Sequence, residues 1–84
     1  GEVRQSLLAL DAASAGETVA RRALDAASEG LKLARDKYNV GSATILDLID
    51  AQVNLQRAAA DLVSALAAIR VAEADLERVR GRAE

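Results

Sequence analysis

The chain has 84 residues, about half of them apolar, yet Tyr38 is its one aromatic and it has no Phe, Trp, Met, Cys, His or Pro. Small side chains cannot fill a thick core, and without Cys or His there is no disulfide staple and no basis for zinc, haem or thiol chemistry. A net charge of −2, from 11 basic and 13 acidic residues of interspersed sign, gives no electrostatic case for nucleic acid.

The absence of Pro and the dominance of Ala, Leu, Arg, Glu and Asp favour helix throughout. The first predicted helix spans about residues 3–39. Val3, Leu10, Leu24, Leu31 and Tyr38 share one heptad position, with Glu17 the exception, and Ser6, Ala13, Ala20, Ala27 and Ala34 follow three residues on. Gly16 and Gly30 sit inside this pattern, where each costs about 1 kcal/mol relative to Ala. Either they allow close approach of a neighbour, or Ser14-Ala15-Gly16 divides the helix in two.

A tip is expected at about residues 40–43. Gly41 stands where a helix C-terminus needs a left-handed residue, with Asn39 the other candidate. Ser42 or Thr44 can cap the next helix, and Thr44 with Asp47 has the spacing of a capping box. Asp50 lies beyond the capping turn, where a helix-dipole term is small and a solvated face is the ordinary reading.

The second helix is expected over about residues 44–80. Its pattern is cleaner: Leu48, Leu55, Leu62, Ile69 and Leu76 at one heptad position, Ala51, Ala58, Ala65, Ala72 and Val79 at the other. Large at a and small at d, held over several heptads, is a coiled-coil seam with close helix approach. The fold class is therefore all-α: residues 1–84 form a single antiparallel helical hairpin with coiled-coil packing.

Each helix carries a second apolar stripe. One runs Ala9, Ala12, Gly16, Val19, Ala23, Ala26, Gly30, Leu33; the other runs Ile49, Val53, Ala60, Val63, Ala67, Ala74, interrupted by Gln56 and Arg70. On a helical wheel these stripes fall on roughly opposite outer sides of the hairpin. A helix with two apolar faces needs two neighbours, so self-association into a helical bundle or barrel wall is expected.

The run Tyr38-x-x-Gly41-x-x-Thr44-x-x-Asp47-Leu48-x-Asp50-Ala51, continuing to Leu55 and Ala58, resembles the periplasmic hairpin tip of TolC-like outer-membrane efflux proteins. The resemblance reaches back through the Ala and Leu positions of the first helix and forward to Leu76 and Gly81. It implies one hairpin of a larger trimeric channel, whose lower hairpins close the periplasmic entrance and meet the hairpin tips of a periplasmic adaptor protein. By that likeness Asp47 and Asp50 match acidic gate positions, and Val40, Gly41 and Ser42 match the adaptor-docking turn. The parent would sit in a Gram-negative outer membrane with this segment in the periplasm.

No apolar run approaches the roughly 18 residues a membrane helix needs, so this segment is expected to make no direct membrane contact. No targeting signal is recognisable, and Gly1 in place of Met suggests a processed, excised or engineered segment. The Asp pair has no His, Lys or metal-binding partner nearby in sequence, so no enzyme, catalytic residue, metal or cofactor is expected. Two other readings share the heptads: a structural or designed hairpin that self-associates as a four-helix bundle, and the hairpin of an adaptor protein. Only the tip residues separate them, and a basic and a Ser position around a Leu, expected of an adaptor tip, are not found near Val40–Thr44.

Overall fold

The computed structural model describes residues 1–83, so Glu84, the last residue of the expected single unit, lies outside the described residues. Helix α1 spans Glu2–Asn39 and helix α2 spans Ile45–Ala83, and the two pack against each other along their length. Glu2 and Arg82 approach to 3.9 Å at the open end, so the helices run antiparallel. Neither glycine interrupts α1. The helix passes through Ser14-Ala15-Gly16 and Gly30 without a break.

The seam follows the heptads. Ala20, Ala27, Leu31, Ala34, Ala58 and Ala72 are buried, and Leu10, Leu24, Leu48, Leu55, Leu62, Ile69 and Leu76 are half-buried. Val3 and Val79 line one depression at the open end, and Ala34 and Asp47 line another at the tip. Matched antiparallel about the turn, the heptads set a large residue level with a small one at nearly every layer: Leu31 with Ala51, Ala27 with Leu55, Leu24 with Ala58, Ala20 with Leu62 and Leu10 with Ala72. Small-against-large alternation keeps the two backbones close and explains why the alanines, not the leucines, are the most covered residues.

Tyr38, expected as the last residue of this seam, is 42% exposed. The same register brings it level with Thr44, where α2 has not yet begun and no apolar partner exists.

The molecule extends 65 × 13 × 12 Å. Two straight helices side by side would have a Cα thickness of only about 5 Å, twice the Cα radius of a helix. The nearly equal short axes therefore show a pair that winds or bows, as coiled-coil packing requires.

No large side chain is fully buried among the described residues. Fully burying a Leu contributes about 1.5–3 kcal/mol, and a half-buried one roughly half of that. The isolated seam is thin, and the surface left over is correspondingly apolar: Leu7, Leu8, Val19, Leu33, Ile45, Leu46, Ile49, Val53, Val63 and Val71 are all exposed.

Candidate functional site at the hairpin tip

The turn is held by backbone first. The Gly41 N–H donates to Tyr38 O at 3.1 Å and the Ser42 N–H donates to Lys37 O at 2.7 Å. These are the two bonds of a Schellman motif, which satisfies carbonyls that the helix end leaves free. The motif needs a left-handed residue after the cap, and Gly41 supplies it with φ +80°. Asn39, the other candidate, remains helical.

Thr44, not Ser42, caps α2. Its Oγ1 accepts from the Asp47 N–H at 3.2 Å, while Asp47 Oδ2 accepts from the Thr44 N–H at 2.9 Å. This reciprocal pair is a capping box, built here with Asp where Glu is more common. The Asp47 carboxylate also sits in the first turn, where the helix dipole favours negative charge. Ala43 and Leu48, at the positions of a hydrophobic staple, are the half-buried residues of the turn.

Asp47 and Asp50 thus differ in what binds them. One oxygen of Asp47 is engaged in the cap. Asp50 is exposed, and its side chain takes part in no hydrogen bond or ion pair among the described residues. Both stand on α2, close to the turn. Val40 is 77% exposed, and Gly41 and Ser42 are also exposed.

Two further residues belong to this surface that the heptad reading passed over. Ile45 and Leu46 are exposed in the first turn of α2, so the tip presents Val40, Ile45 and Leu46 as an apolar rim. Their positions just after a cap and off the a/d seam carry the signal. A groove of about 380 Å³ lies behind the rim, lined by Gly30, Leu33, Ala34, Lys37, Ser42, Ala43 and Asp47. The fold therefore brings a lysine and Asp47 to one groove, which their separation in sequence did not suggest.

The second candidate surface is lateral. Every residue of the α1 stripe is exposed, and so is every residue of the α2 stripe. On α2, Val63, Leu66, Ala67 and Arg70 line a shallow depression of about 250 Å³. The seam assignment explains the exposure, since in α1 the stripe falls to the g side and in α2 to the e side.

The family model for outer membrane efflux proteins matches residues 1–82, which is nearly the whole chain. The chain belongs to the outer membrane efflux protein family. No curated protein and no solved structure matches it significantly. The family is one of transport proteins of the outer membrane, and the hairpin is an efflux-protein segment. No helix among the described residues is long and apolar enough to cross a membrane. No cluster of His, Cys, Asp or Glu among them is arranged to hold a metal ion.

Two carboxylates, an apolar rim and a groove with charged walls stand on a turn fixed at both helix ends.

Proposed function

We propose that this segment is the periplasmic tip hairpin of a trimeric outer-membrane efflux channel, which docks a periplasmic adaptor and forms part of the channel entrance gate. The observation that carries the proposal is the family match over residues 1–82 on a hairpin whose turn bears Asp47 and Asp50. Val40, Gly41 and Ser42 offer the docking edge. Ile45 and Leu46 extend it with apolar surface suited to another hairpin's tip.

Copies of Asp47 and Asp50 brought round a narrow opening would attract cations and repel one another, which biases the opening toward an expanded state. Asp50 is the freer charge, while Asp47 combines charge with the cap. The family match favours this reading over an adaptor hairpin. The self-associating bundle keeps one specific support, the apolar stripes exposed on both helices.

Single-channel conductance of the full-length parent tests the gate. Replacing Asp47 and Asp50 with Ala is expected to change conductance or leakage while the assembly stays intact. Asp47→Asn separates the two roles, because its amide oxygen still accepts from Thr44 while the charge is gone. Conductance unchanged in both variants would sink the gate reading. Docking is tested by Val40→Cys and Ser42→Cys, which should cross-link to a cysteine in the adaptor tip; cross-linking only through residues far from the turn would refute the docking edge.

A further inference from the structure

The seam has one weak layer. Counting along the register, Glu17 is level with Ala65, the one layer of the central seam without a large apolar residue. Ala58 and Ala72, the neighbouring members of the same α2 heptad position, are buried, whereas Ala65, like Ala51, is half-buried. The Glu17 side chain keeps 26% of its surface and turns to Arg21, its Oε2 accepting from Arg21 Nε at 2.6 Å. With the Glu17 carboxylate engaged on its own helix, this layer has no large apolar contact to α2.

Three other features fall on the same level. Gly16 precedes Glu17, and, as at Gly30, a Cβ there would meet nothing within 4 Å, so close packing within the hairpin does not require the glycine. The Thr18 hydroxyl donates to Ser14 O at 3.3 Å, a contact to the preceding turn that commonly bends helices. Across the seam, α2 is thin, with Ser64, Ala65, Ala67 and Ala68 around Leu66. A helix glycine, a carboxylate at a seam position and small girth on both helices coincide.

We propose that the Gly16–Glu17 step is a built-in joint about which the root half of the hairpin moves relative to the tip half. From Glu17 to the turn is about 36 Å at 1.5 Å per residue, so a bend of about 10° there displaces the tip by about 6 Å. That is comparable to one helical turn, and enough to move the Asp50 charge relative to a neighbour. The joint stands on the hairpin's own packing; only its use in swinging the tip rests on the gate reading above.

Amide hydrogen exchange on the chain tests the joint without any adaptor or membrane. Local opening at the weak layer predicts exchange at residues 14–18 faster than at 9–12, against the trend that fraying from the open end would impose. The Gly16→Ala, Glu17→Leu double variant should slow residues 14–18 by about tenfold more than it slows residues 24–34. Gly30→Ala, the same change elsewhere on the same stripe, should leave residues 14–18 as they were. A smooth exchange gradient in the parent chain would overturn the joint. So would uniform slowing along both helices in the double variant, because that describes a general gain in stability. Loss of the conductance effects at Asp47 and Asp50 would leave this result untouched, so the two proposals fail separately.

Discussion

At the scale of single residues, the turn is the most closely determined part of the chain. Gly41 holds φ +80°, a conformation in which a Cβ is strained even where space is open. Gly41→Ala is expected to destabilise the hairpin by about 1 kcal/mol or more, read as a lower denaturation midpoint with unchanged helicity in the folded state. Thr44→Ala removes the acceptor for the Asp47 N–H and should cost about 1 kcal/mol, whereas Ser42→Ala should be nearly silent. Equal losses at Ser42 and Thr44 would mean that the cap is shared, contrary to the bonds seen. The Thr44–Asp47 spacing already pointed to this cap in the sequence; choosing Thr44 over Ser42 needed the backbone. The apolar rim was harder to read. Ile45 and Leu46 look like ordinary helix formers until the register shows that neither reaches the seam.

At the scale of the helices, periodicity carried most of the fold, because two close-packed helices leave only one way to bury alternating large and small residues. The seam predicts that Leu62→Asp, which sets a charge level with Ala20, will unfold or dissociate the chain; helicity and size retained in that variant would refute the assignment. Glu17 predicts the opposite sign. Its ion pair with Arg21 is a surface i,i+4 contact worth about 0.3–0.5 kcal/mol, while a Leu at that seam position would bury apolar area worth about 1–2 kcal/mol. The second term is larger, so Glu17→Leu should raise the thermal midpoint by roughly 5 °C. A lower midpoint would show that Glu17 has a partner across the seam. What the pattern could not reveal is the fate of Tyr38. A heptad extends in sequence past the point where the opposing helix has ended, so its last position has nothing to pack on.

At the scale of the whole molecule, the exposed stripes decide how copies would meet. A face on α1 and a different face on α2, displaced to opposite sides, favour a heterologous contact in which the α1 stripe of one hairpin meets the α2 stripe of the next. Such contacts propagate into rings or open arrays, whereas a face that paired with itself would stop at a dimer. Val19→Lys charges the first stripe and Val63→Lys charges the second; both residues are exposed, so neither change disturbs the seam. Each variant alone should sediment as a monomer at concentrations where the parent chain associates. Mixed in equal amounts, the two retain one intact face of each kind between them and should form a one-to-one complex that grows no further. Self-pairing of the α1 stripe would instead leave the Val63→Lys variant dimeric alone, and self-pairing of the α2 stripe would leave Val19→Lys dimeric. A parent chain that stays monomeric at high micromolar concentration would reject assembly through these stripes altogether. The mixing outcome matters most, because only unlike faces restore each other, and a barrel wall whose hairpins all share one orientation can be built only from unlike faces.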